Sequence, residues 1–164
     1  MLVIHFSKLG SLPIYAHACK KFARRENARM NSLPELTKIY FCIGLGGALG
    51  SMARFWLSVF VGERVQGNFP WGTFLVNVIG SFVIGALAAV ADQPGRFSLS
   101  PVMRQLLMVG ICGGFTTFSS FSIQTLELMR GGQPLYAAAN VVGSVLLCLL
   151  AVWGGHQFGQ ILNR

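Results

Sequence analysis

Apolar residues fill four long stretches of this chain, over 39–61, 71–91, 104–128 and 135–158, and polar residues collect between them. Each stretch has the roughly 20 residues that a helix needs to cross a hydrocarbon layer at about 1.5 Å per residue. The connections "GERVQGNFP", "DQPGRFSLSP" and "RGGQP" are short and carry glycine, proline and polar residues, as turns require. The pattern predicts an all-α integral membrane protein: four transmembrane helices forming one compact domain over 38–164, with no internal repeat. Residues 1–37 stand apart as a basic N-terminal extension.

Composition supports that division. The chain has 164 residues, is 53% hydrophobic and carries only 11% charged residues, where a soluble domain carries about 25%. Residues 1–29 hold six bases and one acid, which is +5 of the total +8. These bases form a tail rather than a patch on a folded surface, so they do not make a nucleic-acid footprint. The tail also lacks the long apolar run of a signal peptide. Two readings of it stand: a basic cytoplasmic extension attracted to anionic lipid, or residues ahead of a true start at Met30, whose "MNSLPELTKIYF" leads directly into the first helix. Without the tail, Lys38, Arg96, Arg104 and Arg164 lie on one side of the membrane and Arg64 and Arg130 on the other. That is a weak positive-inside bias, and it permits insertion in both directions.

The four cysteines are scattered and form no CxxC pair, and the three histidines are equally dispersed. Neither a disulfide framework nor a zinc site follows. No Ser–His–Asp or acid–base constellation appears, so the sequence does not read as an enzyme.

Several residues are unusual for a lipid-embedded helix. Small residues recur at spacing four, as at Gly46 and Gly50, where they let helices approach closely. "GLGGALG" fails as a dinucleotide loop because no strand–turn–helix context surrounds it. Arg54 lies within the first stretch, where an arginine costs about 2.5–3.5 kcal/mol at a helix centre. It either snorkels to the interface or draws anions to the mouth of a water-filled cavity. In the second stretch Thr73, Asn77 and Ser81 share a face. Asn77 is either an interhelical hydrogen-bond partner or a pore-lining amide whose N–H groups meet an anion. In the fourth stretch Tyr136, Asn140 and Ser144, at i, i+4 and i+8, make a polar stripe that points to a partner helix or a polar track.

The third stretch contains "GGFTTFSSF", residues 113–121. Gly110, Gly113 and Gly114 weaken the helix there, which predicts a break in the third helix. Broken helices are tolerated at membrane depth only where buried in protein or lining a cavity. An unwound turn frees carbonyls for a cation. Phe118 and Phe121 share a face, and the edge of an aromatic ring carries the positive part of its quadrupole. Beside Ser119, Ser120 and Ser122, such edges replace part of a small anion's hydration without a full charge. A conducting site needs that compromise, because it must also release the ion.

Taken together, "GGALGSMARF", "GTFLVNVIGSF" and "GGFTTFSSFS", in that order and in those helices, resemble the small fluoride channel family, Fluc or CrcB. The resemblance covers about residues 38–160. It implies a passive, fluoride-selective channel of the cell inner membrane that exports cytoplasmic fluoride. It further implies an antiparallel, dual-topology homodimer with two pores in the lipid bilayer. Asn77, Phe118 and Phe121 are then expected along the pores with Ser119 and Ser120 beside them, and Tyr136, Asn140 and Ser144 match the family's polar track. Arg54 matches a vestibule arginine. Gln124 occupies a vestibule position where the family commonly has Glu. The backbone carbonyls of Gly113 and Thr116 match a structural sodium site at the dimer interface. Independently of the resemblance, four helices leave no room for an aqueous lumen, so a pore requires an oligomer. Two other readings use the same helices. A proton-coupled multidrug exporter needs a membrane-embedded carboxylate, and none lies deep in a stretch here. A structural membrane protein would use the polar faces for assembly alone and pass no ions.

Overall fold

The computed structural model describes residues 33–92 and 98–164. Two compact units are distinguished, residues 1–38 and Ile39–Arg164. The tail expected over 1–37 therefore lies outside the described residues except for 33–37, which are helical. Within that first unit Lys38 and Glu35 pair at 3.0 Å, one turn apart.

Four helical spans are long and apolar enough to cross a membrane. The first is α1, Leu33–Arg64, and the second is α2, Trp71–Asp92. The third, Pro101–Arg130, is composite. It opens with α3 (Pro101–Arg104), widens into a π-helix over Gln105–Cys112, tightens again in α4 (Gly113–Phe115) and resumes as α5 (Phe118–Arg130). The fourth span is α6, Pro134–Leu162. All four apolar stretches of the sequence lie in these spans. The π-helix has no counterpart in the sequence reading, because hydrophobic periodicity over eight residues does not separate a π-turn from an α-turn.

Helix starts follow local chemistry. Ser100 caps α3 by accepting from the Met103 N–H at 3.3 Å, and Pro101 follows in the first turn, where its missing N–H costs nothing. Pro134 opens α6 in the same way. The connection from α1 to α2 is held by a ring cluster, with Phe69 4.6 Å from Trp71, tilted by 53°, and Phe74 edge-on to both. Arg104 ties the third span back to the end of α2 through the Ala91 carbonyl at 2.9 Å and the Asp92 carboxylate at 3.0 Å.

The core is thin and made of small residues. Val76 is fully buried, and Ala89, Cys112 and Ala137 are nearly so. The most extensive packing joins α2 to α6. Glycines bring the backbones together: a Cβ on Gly85, Gly155 or Gly159 would run into main chain of the facing helix. The contact of α1 with the third span works likewise. A Cβ on Gly46 would lie 2.7 Å from the Leu106 carbonyl oxygen, and one on Gly114 would lie 2.5 Å from that of Gly47. This corrects the expectation that Gly110, Gly113 and Gly114 unwind the helix. Gly113 and Gly114 are α-helical and Gly110 lies within the π-helix. Gly110 and Gly114 serve close approach to α1, and the packing gained there outweighs their low helix propensity. Large apolar side chains face outward instead, among them Phe41, Met52, Phe55 and Trp56 on α1 and Leu149, Leu150 and Trp153 on α6. In water such a surface would aggregate. In a bilayer it is the expected exterior of a multi-pass membrane protein.

Candidate functional site

The third span leaves helical geometry at two residues. Thr116 (φ −77°, ψ 153°) and Thr117 (φ −149°, ψ 109°) are extended, and the helix restarts at Phe118. Asn77 on α2 holds this interruption in place. Its Oδ1 accepts the Thr117 N–H at 2.8 Å, and its Nδ2 donates to the Thr117 carbonyl at 3.1 Å. One amide side chain thereby replaces both main-chain partners of one residue, much as a neighbouring strand would. Gly80, one helical turn further along α2, leaves room for the Thr116 methyl and the Phe115 ring.

Thr117 is 7% exposed, and its hydroxyl caps α5. Oγ1 accepts the Ser120 N–H at 3.2 Å and donates to Ser120 Oγ at 3.0 Å, with Ser119 Oγ 3.2 Å away. Such a cap contributes about 0.5–2 kcal/mol. Sequence reasoning passed over Thr117, although a threonine just before a new helical run is a start signal.

These bonds decide which carbonyls are free. In a continuous helix the Thr117 N–H would bond the Gly113 carbonyl, and the Ser120 N–H would bond that of Thr116. The first is taken by Asn77 and the second by the Thr117 hydroxyl. The interruption thus releases the carbonyl oxygens of the two residues expected to hold sodium. The donor set fits a hard cation, which prefers neutral or anionic oxygen.

The phenylalanines face differently from core residues. Phe118 is 79% exposed, and its ring lies 5.3 Å from that of Phe121, tilted by 43°. Phe121 and Ser120 are half-buried and Ser119 is exposed. On α6, Asn140 and Ser144 are buried while Tyr136 is half-exposed. Ser144 Oγ donates to Asn140 Oδ1 at 3.3 Å, and Asn140 Nδ2 donates to Thr125 Oγ1 at 2.8 Å. Thr125 in turn donates to the Phe121 carbonyl at 2.7 Å. A chain of hydroxyls and amides therefore runs from α6 to the backbone of Phe121. Thr125 is the second participant that the sequence did not reveal, because its partner lies on another helix and no spacing signals it.

The structure thus brings Asn77 together with Ser119 and Ser120 through Thr117, and Asn140 and Ser144 together with Phe121 through Thr125. Arg54 is half-buried on α1 and makes no hydrogen bond or ion pair among the described residues. Gln124 is half-buried on α5, with its Oε1 shut off from solvent and unpartnered. Neither touches the Asn77–Thr117 pair by a hydrogen bond. Among the described residues no group of three His, Cys, Asp or Glu is placed to hold a metal ion.

The model of the family described as "CrcB-like protein, Camphor Resistance (CrcB)" matches residues 41–156. The chain is 51% identical over 125 residues to the "Fluoride-specific ion channel FluC" of Methylocella silvestris, an alignment covering 76% of this chain and 95% of that one. It is 51% identical over 125 residues to the protein of the same name from Rhodospirillum rubrum, covering 76% of this chain and 97% of that one. The protein of that name from Opitutus terrae is 53% identical over 125 residues, covering 76% of this chain and 95% of that one.

Proposed function

The chain belongs to the CrcB family of membrane proteins, and on that premise we propose that it is a fluoride channel, passive and selective, that exports cytoplasmic fluoride across the cell inner membrane. The observation that carries the reading is the helix interruption at Thr116–Thr117, clamped by Asn77, with an exposed phenylalanine pair immediately after it. A structural span has no need of it.

The working unit is an antiparallel homodimer with two pores. Phe118 exposes nearly its whole ring from a single chain, and in this dimer that ring turns toward the ion path rather than to lipid. In the dimer the Phe118 and Phe121 edges line the ion path with the Ser119 and Ser120 hydroxyls. Ring edges offer a small anion partial positive charge that is weak enough to let it leave. Thr117 donates to Ser120 Oγ, so the Ser120 proton is left for the ion. Asn77 has a second Nδ2 proton beyond the one given to Thr117 and presents it to the same path. Tyr136, half-exposed, continues the polar lining, and Asn140 and Ser144 back it from the stripe behind, held to the Phe121 backbone through Thr125. Arg54 and Gln124 stand at the mouth, where an unpaired guanidinium raises the local anion concentration.

A sodium ion fits the carbonyls of Gly113 and Thr116, released as described above. Bound there in the dimer interface, it supplies charge that holds the two interruptions together. This chain's part is to keep those carbonyls unpaired, which Asn77 and the Thr117 hydroxyl do.

A growth assay tests the biological side. A bacterium lacking its own fluoride exporter should regain growth in millimolar fluoride when it makes this chain. Unchanged sensitivity, with the protein present in the membrane, contradicts the proposal.

A further inference from the structure

The ring pair of α5 is tied to its neighbours on two sides. Asn77 of α2 holds Thr117, the residue before Phe118. On the other side Asn140 of α6 reaches Thr125, one helical turn beyond Phe121. Both rings leave the helix between these ties.

Each phenylalanine carbonyl also accepts a hydroxyl from the next turn. Ser122 Oγ donates to the Phe118 carbonyl at 2.9 Å, and Thr125 Oγ1 to that of Phe121 at 2.7 Å. A hydroxyl folded back in this way bends a helix slightly, and so shifts the Cα from which the ring springs. The two cases differ in what holds the hydroxyl. Ser122 is exposed and makes no other side-chain hydrogen bond among the described residues. Thr125 is half-buried and held at both ends. A hydroxyl has one proton, and Thr125 gives it to the Phe121 carbonyl, which can only accept. The group on its other side must donate. That turns the Asn140 amide nitrogen toward Thr125 at 2.8 Å and the amide oxygen toward the Ser144 hydroxyl at 3.3 Å. All three bonds run in one sense, from α6 into the Phe121 backbone. Asn140 is 1% exposed, so a break in the chain would strand a buried amide, and that holds the arrangement to a single state.

We propose that Thr125 is the positioning residue of Phe121: its hydroxyl, aimed by Asn140, fixes the ring whose edge meets the anion, and thereby sets the rate of passage. The inference rests on the reading of Phe121 as pore lining. Thr125 itself acts through the Phe121 backbone and touches no ion.

The test places 4-fluorophenylalanine at Phe121, or at Phe118, in the purified full chain and follows each ring by fluorine NMR. Thr125→Val keeps the side-chain shape and removes the hydroxyl, whereas Thr125→Ser keeps the hydroxyl. The resonance at Phe121 should shift or broaden in Thr125→Val, by more than that at Phe118, and hold its place in Thr125→Ser. In liposomes Thr125→Val should slow fluoride efflux about fivefold, the scale of one net hydrogen bond, with Thr125→Ser close to wild type. In a Phe121→Ile background Thr125→Val should add nothing, while in Phe118→Ile it should keep its full effect. Should Thr125→Val elute aggregated, Asn140→Leu cuts the chain one bond earlier and is read in the same way. A resonance at Phe121 that Thr125→Val leaves in place, or that Thr125→Ser moves as far, overturns the proposal. So does efflux slowed equally with and without the Phe121 ring, as general loosening of the helix would produce. A wild-type chain that passes no fluoride contradicts the channel reading instead, and the NMR comparison still decides whether Thr125 positions the ring.

Discussion

Asn77 carries two duties through one amide. Its oxygen and one N–H hold Thr117, and only the remaining N–H is available to an ion. Asn77→Asp keeps an acceptor for the Thr117 N–H but sets a carboxylate against the Thr117 carbonyl and adds negative charge to the proposed path. Fluoride efflux should fall to background; normal efflux would remove Asn77 from the lining. The phenylalanines act through ring edges, which an aliphatic side chain of similar volume lacks. Phe118→Ile and Phe121→Ile should each slow efflux about tenfold or more, the effect of about 1.4 kcal/mol on a barrier. Unaltered rates in both would detach the pair from the pore. The residue types at this site were legible in the sequence, because hydroxyls and amides at helical spacing in an apolar segment have few uses. Their pairing was not. The Asn77–Thr117 and Asn140–Thr125 pairs become visible only when α2 and α6 are placed against the third span, and spacing along one helix carries no record of that.

Glycine explains how such helices pack. The sequence reading took the glycines of the third span as helix breakers, but Gly110 and Gly114 are sites of close approach to α1. The interruption comes at two threonines: Thr117 takes its main-chain partners from Asn77 on α2, while Thr116 still returns its N–H and hydroxyl to the Cys112 carbonyl. The four spans could be read from hydropathy because each is longer and more apolar than a soluble helix. The extended residues could not be placed, since propensity alone points to glycine first. Two substitutions separate packing from conformation. A Cβ on Gly50 would collide with the Ile111 carbonyl and lie 2.8 Å from the Phe115 nitrogen, both main chain that cannot yield. Gly50→Ala should therefore cost about 1–3 kcal/mol and lower the yield of folded protein in detergent. A Cβ on Gly113 meets nothing closer than the Met108 oxygen at 3.9 Å. Gly113→Ala should elute and melt as wild type, and a large drop in melting temperature would show that this glycine is needed for conformation after all.

At the scale of the whole molecule, the proposed channel needs more than one chain. Its polar chain through Asn140 and Ser144 is closed internally, while Phe118 and a wide apolar surface face outward. In the proposed dimer a second, inverted copy would supply the other wall of each pore and bring two sets of carbonyls to one centre. Exchanging sodium for N-methylglucamine should then shift the protein from dimer toward monomer in light-scattering measurements; a dimer indifferent to sodium would count against the cation between the chains. The weak charge bias expected from sequence suits insertion in both directions.

The central claim is selective passive conduction. It is tested most directly by efflux from liposomes holding the purified protein, loaded with fluoride or with chloride, with a potassium ionophore clamping the voltage. Fast fluoride efflux, independent of a proton gradient and with no chloride efflux, is predicted. Efflux of neither ion from dimeric protein, or fluoride efflux that requires a proton gradient, would contradict the account.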